Sequence, residues 1–206
     1  MSQPGNYDSW IIDDHQELGQ READPRTEVP LESVTITTLD KTQDGWQTYI
    51  GLLATCNDER PGLLWLNSAS LREIKDAFWS KREQAYVARN QLGAAIGMVS
   101  LIELGGNGGK IANLCRLQAA KDYRVGLQLF AKVLDVAASR GMQYMRLDAV
   151  AHNKAIGMYR EYRFEPEAHS SEPSRVVHMN LYGNAVIEAA AHDAHQAALE
   201  HRSKKQ

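Results

Sequence analysis

The sequence predicts an α/β domain in which a central mixed β-sheet is flanked by helices. Two observations lead to this prediction. Alternating, β-branched segments of strand length recur between residues 33 and 183, and segments with the apolar spacing of helices interrupt them. The predicted order is β α α β β β α β α β β, and the helices between the late strands imply a mixed sheet with helices on its faces.

Size and composition limit what the chain can be. Its 206 residues fit one ordinary domain, and 43% apolar with 24% charged residues allow a hydrophobic core. The net charge of −3 argues against a broad basic face, so no nucleic-acid partner is expected. No apolar segment approaches the roughly 20 residues that span a bilayer, and no signal peptide is recognisable. We therefore expect a soluble, cytoplasmic protein with no membrane partner.

The first 32 residues differ from the rest of the chain. They are rich in acidic side chains and are interrupted by Pro4, Pro25 and Pro30. Such a segment buries too little apolar surface to offset the entropy lost on ordering. Residues 1–32 are therefore expected to form a disordered arm, followed by the predicted domain over residues 33–183.

The final segment, residues 184–206, is alanine-rich and predicts a helical tail. Its apolar stripe is thin and consists of Ile187, Ala190, Ala194 and Ala197 or Ala198. His192, His195 and Glu188 could share a metal ion, but nothing else in the sequence completes a site. A solvated helix without a bound metal is the expectation.

The first half of the domain contains one predicted strand, two helices and a group of three strands. In chain order these elements are a strand at 33–39, helices at 44–56 and 68–81, and strands at 84–90, 94–104 and 111–119. A hairpin turn is predicted at residues 90–93. The glycine-rich residues 105–110 are expected to form a loop.

The second half begins with a helix. Its predicted apolar face consists of Leu127, Phe130, Ala131, Leu134 and Ala138. Gly141 is a suitable residue to end this helix. The remaining predicted elements are a strand at 142–150, a helix at 152–162, and strands at 163–167 and 174–183.

This order of elements, together with residues 114–134 (LCRLQAAKDYRVGLQLFAKVL), resembles the GNAT superfamily of N-acetyltransferases. Members of the family carry a strand, a Gln/Arg-x-x-Gly-x-Gly/Ala loop and a helix, and the loop amides hold the pyrophosphate of acetyl-CoA. Backbone amides at a helix start form a natural anion site, which agrees with that role. The resemblance implies donor contacts from Leu117, Gln118, Ala119, Tyr123, Arg124, Val125, Gly126, Leu127 and Gln128.

A second block, residues 146–164 (RLDAVAHNKAIGMYREYRF), has the family's spacing of Asn153, Tyr159 and Phe164. In the family, the Asn touches the pantetheine arm or fixes the turn, the Tyr protonates the departing thiolate, and the Phe packs in the core. From the residues alone, Asn153 could simply cap the helix and Tyr159 could be a core aromatic residue. The resemblance adds Asn153 to the donor site and implies that Tyr159 is both a donor contact and the general acid.

Three positions depart from the family pattern. Tyr123 stands where Gln or Arg is usual, and Arg163 replaces the Gly before Phe164. Gln128 stands where a small residue normally lets the backbone approach phosphate. The Gln128 side chain is therefore expected to obstruct the donor site.

The general base is not assigned by the sequence. Asp148 is the first candidate for the base or for an ammonium anchor, because a carboxylate inside a strand is costly unless it is paired or faces the cleft. Arg146 lies on the same side of the strand and could pair with Asp148 instead. Glu103 is the second candidate, and His152 is either a loop imidazole or a base.

The two cysteines, Cys56 and Cys115, are too few for a disulfide scaffold, and reduced thiols are expected. Cys115 could act as an acyl nucleophile, but no partner His stands at a recognisable spacing, and a buried thiol is the expected state.

We expect an acyl-CoA-dependent N-acyltransferase that moves acetyl from acetyl-CoA to a primary amine by direct attack in a ternary complex. An amide at residues 117–119 would polarise the carbonyl, and the two early helices would select the acceptor. The alternative is a catalytically degenerate GNAT-like module that binds CoA or a protein partner. The resemblance also leaves a homodimer open, since many family members dimerise.

Overall fold

The computed structural model describes residues 34–61, 68–151, 153–167 and 176–203. Within these ranges, seven strands form one mixed sheet in the order β1-β2-β3-β4-β5-β7-β6. The strands are β1 (Thr35–Thr38), β2 (Glu83–Arg89), β3 (Ala95–Leu104), β4 (Gly108–Arg116), β5 (Tyr144–Val150), β6 (Glu165–Pro166) and β7 (Val176–Tyr182). The α/β fold with a mixed sheet is confirmed.

Helices cover both faces of the sheet. They are α1 (Gln43–Glu59), α2 (Ser68–Trp79), α3 (Val125–Ser139), α4 (Ala155–Glu161) and α5 (Asn184–Ser203), and a short 3₁₀ helix spans Gln118–Tyr123. No helix of the described ranges is long and apolar enough to cross a membrane. The predicted arm at residues 1–32 lies outside the described ranges.

The core is divided between the two faces. On one face, α1 and α2 pack over β2, β3 and β4 and bury an apolar group that includes Tyr49, Leu53, Phe78, Val87 and Met98. On the other face, α3 and α5 cover a larger core centred on Phe130. The tail prediction is wrong on one point, because α5 packs along α3 with Ile187, Ala190 and Ala194 fully buried.

The sheet opens between β4 and β5, its parallel pair. The two strands pair from Gly108↔Tyr144 to Ile111↔Leu147. Beyond this point β4 continues beside β3, and β5 continues beside β7. The ends of β4 and β5 therefore separate, and the space between them can admit a ligand.

Residues 108 and 109, which the sequence analysis placed in a loop, belong to strand β4. A Cβ atom on Gly108 would lie 2.0 Å from the Tyr144 ring, and one on Gly109 would lie 2.7 Å from the sulfur atoms of Met142 and Met145. These glycines allow β5 and its side chains to pack closely against β4. The 3₁₀ helix also ends the strand at Arg116, earlier than predicted. The predicted hairpin turn at residues 90–93 is confirmed.

A buried polar cluster joins α1 to three strands. The Tyr49 hydroxyl donates to Glu83 Oε1 at 2.7 Å and accepts from Asn113 Nδ2 at 2.7 Å, and it lies 3.1 Å from Ser100 Oγ. Asn113 has a positive φ of 54° at an irregularity in the β3–β4 register. Glu83 Oε2 is buried and has no hydrogen-bond partner among the residues that the structure describes.

Replacing Glu83 with Gln should change how stability depends on pH. Burial raises the pKa of Glu83, and the Ser100 and Tyr49 hydroxyls and the charge of Lys41 offset only part of this effect. The unfolded chain loses this proton near pH 4.5, before the folded protein does, so wild-type stability falls as pH rises through the folded pKa. Glu83→Gln cannot lose a proton there, so the difference in unfolding free energy between the variant and the wild type should shift in favour of the variant as pH rises above 4.5. Urea titrations check this, and a difference that does not vary with pH would contradict it.

Candidate active site

A cavity of about 770 Å³ lies where β4 and β5 separate. The end of α1, the end of β4, the start of α3 and the helix α4 form its walls. Its lining includes Cys56, Arg60, Leu114, Cys115, Arg116, Gln118, Lys121, Arg124, Gly126, Leu127, Asn153, Lys154, Ala155, Met158, Tyr159, Glu161 and Tyr162. The cavity thus joins the two sequence blocks that were predicted to form the site.

The start of α3 forms one wall of this cavity. The Gln128 amide donates to the Arg124 carbonyl at 3.0 Å, so the amides of residues 125–127 precede the first intrahelical bond. Gly126 leaves this end of the helix uncovered, since a Cβ atom there would meet only Arg116 Cδ, at 3.9 Å. Amides at a helix start and the positive end of the helix dipole make this wall suitable for an anionic group.

The lining of the cavity is strongly basic. Five cationic side chains contribute to it, against the one carboxylate of Glu161: Arg60, Arg116, Lys121, Arg124 and Lys154. Arg124 also donates to the Ala197 carbonyl of α5 at 3.1 Å, which holds it beside the start of α3. The charge and the helix start together favour a ligand that carries several phosphate groups.

Tyr159 lies at the inner side of the cavity. Its ring packs against Phe130 at 5.6 Å and against Phe164 at 6.4 Å, measured between ring centroids. Burial raises the pKa of Tyr159 to about 12, so the hydroxyl stays protonated at neutral pH. Within the described ranges no group hydrogen-bonds to this hydroxyl, so it is available to a ligand.

The sequence left two roles open for Asn153, capping of the helix and contact with the donor. Its Oδ1 accepts from the Ala155 amide at 2.9 Å, which caps the first turn of α4. The same residue lines the cavity. Capping therefore holds Asn153 at the entrance to α4, next to the space that a ligand would occupy.

The amides at the end of β4 are already engaged. The Leu117 amide donates to the Ile96 carbonyl at 2.9 Å, and the Gln118 amide donates to Glu59 Oε2 at 2.5 Å. Arg60 donates to the Gln118 side chain at 2.9 Å. The Leu117 amide is therefore not free to polarise a carbonyl, and the Gln118 amide becomes free only if the Glu59 side chain moves.

Several residues predicted to contact the donor do not line the cavity. Leu117 packs in the core under α1, Val125 is fully buried in the other core, and Ala119 is exposed outside the cavity. Tyr123 belongs to the 3₁₀ helix, and its side chain is not among those that the structure describes. Gln118, Arg124, Gly126, Leu127, Asn153 and Tyr159 are brought together in the lining.

The prediction that Gln128 obstructs the donor site is wrong. Its side chain lies in a separate groove with Val34, Ile36, Lys132 and His195. Because Gln128 follows Leu127 within α3, a rotation of about 100° per residue moves its side chain away from the cavity. The position therefore tolerates a large residue without loss of cavity space.

Glu103 and Asp148, two of the predicted candidates for the base, also lie outside the lining, and the third, His152, lies outside the described residues. Glu103 is exposed at the end of β3 and pairs with Arg140 at 2.7 Å. Asp148 pairs with Lys110 at 2.7 Å, with Arg146 at 3.2 Å and with His178 Nδ1 at 2.6 Å. Burial alone would raise the pKa of Asp148, but these partners outweigh it and lower the pKa to about 2. Such a carboxylate is a poor proton acceptor at neutral pH, so neither residue is supported as the base.

Cys115 is not arranged as a nucleophile. The adjacent Cys56 thiol and burial raise the pKa of Cys115 well above 9.0, so the reactive thiolate is disfavoured. Both cysteines are free. In the part of the chain that the structure describes, no group of three or more His, Cys, Asp or Glu side chains could hold a metal ion.

Sequence reasoning missed part of the basic lining and the partner of Asp148. Arg60 lies just after a helix that was predicted to select the acceptor, and Lys154 was treated only as part of a helix. His178 was treated as an ordinary strand residue. The β5–β7 register, which pairs Asp148 with His178, brings the two side chains together, and no sequence spacing signals that register.

The fold and the cavity define the class of protein. A mixed sheet that opens between two parallel strands, beside the start of a helix, is the acyl-CoA N-acyltransferase fold. The sequence profile of the acetyltransferase (GNAT) family matches residues 46–164. The chain therefore belongs to the GNAT family, and it is an N-acetyltransferase by that membership. A comparison with curated proteins returns no match.

Solved structures share this fold at low sequence identity. An acetyltransferase from Streptococcus agalactiae has a TM-score of 0.60 and 12% identity, over 73% of this chain and 99% of its own. A GNAT-family acetyltransferase from Staphylococcus aureus has a TM-score of 0.57 and 15% sequence identity, over 71% of this chain and 99% of its own. Mutant forms of the spermidine/spermine N-acetyltransferase of Vibrio cholerae have a TM-score of 0.56 and 18% sequence identity, over 77% of this chain and 98% of their own.

Proposed function

We propose that this protein binds acetyl-CoA in the basic cavity and transfers its acetyl group to a primary amine by direct attack in a ternary complex. The observation that carries the proposal is the cavity itself. It combines the uncovered start of α3, five cationic side chains and the Tyr159 hydroxyl in the gap between β4 and β5.

The donor end of the cavity suits the phosphate groups of CoA. A phosphate group could approach the amides of residues 125–127 and the positive end of α3 closely, because Gly126 has no side chain to obstruct it. Arg116, Lys121 and Arg124 surround this end and can pair with phosphate oxygens. Asn153, across the gap, is in place to hydrogen-bond the amide groups of the pantetheine arm.

The chemical step requires one bond to form and one to break. The uncharged amine attacks the thioester carbonyl carbon, the C–S bond breaks, and the thiolate takes a proton from Tyr159. A phenol with a pKa of about 12 is fully protonated before this step, so the proton is present when the thiolate leaves. Net transfer yields an N-acetyl amine and free CoA.

Glu59 affects the polarisation of the thioester. Its carboxylate accepts a hydrogen bond from the amide of Gln118, which lies in the segment 117–119 that was predicted to donate an amide to the thioester carbonyl oxygen. Glu59 is exposed near the end of α1, so an incoming donor can displace it without disturbing the core. Donor binding and departure of Glu59 are therefore coupled in this proposal.

A cleft filled by Gln128 would have favoured the alternative, a degenerate binding module. The Gln128 side chain lies in another groove, so this support for the alternative is missing. One structural neighbour is a spermidine/spermine N-acetyltransferase, so polyamines belong among the first acceptors to be tried.

Calorimetric titration with acetyl-CoA tests the location of the donor site. The wild type should bind. Gly126→Trp should weaken binding at least about tenfold, because the indole would occupy the part of the cavity in front of the first amides of α3. The matched control is Gly51→Trp on the exposed side of α1, where a Cβ atom meets nothing within 4 Å. Equal binding by the two variants would show that the donor lies elsewhere.

A further inference from the structure

We propose that His178, oriented by Asp148, is the general base that removes a proton from the acceptor amine. This inference rests on the proposed function, since it supplies the base that the acetyl transfer needs. It assigns His178 as a catalytic residue and Asp148 as its positioning residue. Neither the family match nor the structural comparisons assign these roles.

The pair lies beside the gap in the sheet. The last residue of β5 that pairs with β4 is Leu147, so Asp148 stands where the gap between the strands begins. His178 lies directly opposite Asp148 on β7. His178 is therefore one strand further from the gap than Asp148, and both residues lie next to the lining of the donor cavity rather than within it.

The pair lies on the face of the sheet opposite α3 and α5. Met145, Leu147 and Ala149 point into the core under α3 and α5, so Asp148 points to the opposite face. On that face α1 and α2 cover β2, β3 and β4. The Asp148 and His178 side chains are 25% and 37% exposed, so an acceptor can approach them from the side opposite α3.

The contacts of the imidazole bear on its tautomer. His178 Nδ1 lies 2.6 Å from Asp148 Oδ1, and Arg146 Nη2 lies 3.0 Å from the same nitrogen. The two neighbours favour opposite states of Nδ1, because the carboxylate oxygen only accepts a hydrogen bond and the guanidinium only donates one. The contact with the carboxylate is the shorter of the two, so we assign the proton to Nδ1, which then donates to Asp148.

This tautomer leaves the lone pair on Nε2. No group in the described ranges is hydrogen-bonded to Nε2, so this nitrogen can face an acceptor. Arg146 Nε and Lys110 Nζ also hold the Asp148 carboxylate, at 3.2 and 2.7 Å, which fixes the orientation of the dyad. The arrangement is that of a histidine base with an orienting carboxylate.

The proton balance of the step is complete. Nε2 takes one proton from the acceptor nitrogen, and the resulting imidazolium is stabilised by Asp148. The nitrogen bonds to the acetyl carbon, and the thiolate takes the Tyr159 proton. His178 then returns its proton to solvent. An acceptor that enters as an ammonium gives its second proton to the Tyr159 phenolate after the C–S bond breaks, so no oxidant or metal is needed.

The first test does not require turnover. Long-range ¹H–¹⁵N spectra of the wild-type imidazoles should show the His178 proton on Nδ1, and His178→Gln identifies the resonance. A proton on Nε2, with Nδ1 accepting from Arg146, would overturn the proposal. This result stands whether or not the protein transfers acetyl groups, so it is separable from a failure of the proposed function.

The second test compares ethylamine with methoxyamine. The two are nearly isosteric, but at neutral pH ethylamine is an ammonium and methoxyamine is uncharged. His178→Gln should lower kcat/KM about 100-fold with ethylamine and only a few-fold with methoxyamine. The control is His195→Gln on the exposed side of α5, which should change neither.

Equal losses for the two amines would overturn the role of His178 as a base. If the wild type transfers acetyl to neither amine, the proposed function fails for small amines, and the imidazole spectrum alone decides whether the dyad exists. Thermal unfolding of both variants checks that His178→Gln is folded.

Discussion

Tyr159→Phe is expected to lower kcat for acetyl transfer by about 100-fold or more, which is the usual contribution of a positioned general acid. The substitution removes one oxygen atom and keeps the ring, so the contacts of Tyr159 with Phe130 and Phe164 remain. Affinity for acetyl-CoA should change little, because the phosphate end of the cavity is untouched. Steady-state kinetics and calorimetry on the same preparation measure both quantities.

Tyr162→Phe is the matched control for this variant. Tyr162 lines the same cavity and packs against the same Phe130 ring at 5.6 Å. It therefore reports the effect of losing a hydroxyl from the cavity without losing the proposed acid. Equal kcat values for Tyr159→Phe and the wild type would remove the proton-donor role from the account.

Phe130→Ala is expected to lower the free energy of unfolding by about 3–5 kcal/mol. Phe130 is completely buried, and its ring touches three other aromatic rings, those of Tyr159, Tyr162 and Phe164. Truncation would leave a cavity where α3 meets α4 and would remove the support behind Tyr159. Urea unfolding monitored by circular dichroism measures the loss.

Two further variants bracket this expectation. Phe130→Leu keeps most of the apolar volume and should cost less than Phe130→Ala. Leu92→Ala, at a hairpin turn where the side chain is 77% exposed, should stay within about 0.5 kcal/mol of the wild type. A Phe130→Ala loss below about 1 kcal/mol would mean that α4 does not depend on this packing.

The periodicity of the sequence was sufficient to predict the order of elements. Strand alternation and helix spacing depend on local apolar patterns, and tertiary packing preserved them in β2, β3, α3 and β5. The boundaries of β4 were harder to predict. Gly108 and Gly109 disfavour a strand by propensity, but the close approach of Tyr144 and Met145 requires residues without a Cβ.

The candidate site was only partly predictable for a similar reason. The block around Gly126 and the spacing of Asn153 and Tyr159 are local signals, and these three residues meet in the cavity. The direction of Gln128 depends on the helical phase of α3. The partner of Asp148 depends on the register of β7 against β5, which lies outside the reach of any local pattern.

An assay with a panel of amines decides whether this chain transfers acetyl from acetyl-CoA to amines. Purified wild-type protein is incubated with acetyl-CoA and, separately, spermidine, an aminoglycoside, a peptide with a free N-terminus and a lysine peptide. Free CoA thiol is followed over time, and the masses of the products are determined by mass spectrometry. We expect CoA release and a singly acetylated product with at least one of these amines. Tight binding of acetyl-CoA with no acetylated product from any amine would refute acetyl transfer and would favour the binding module.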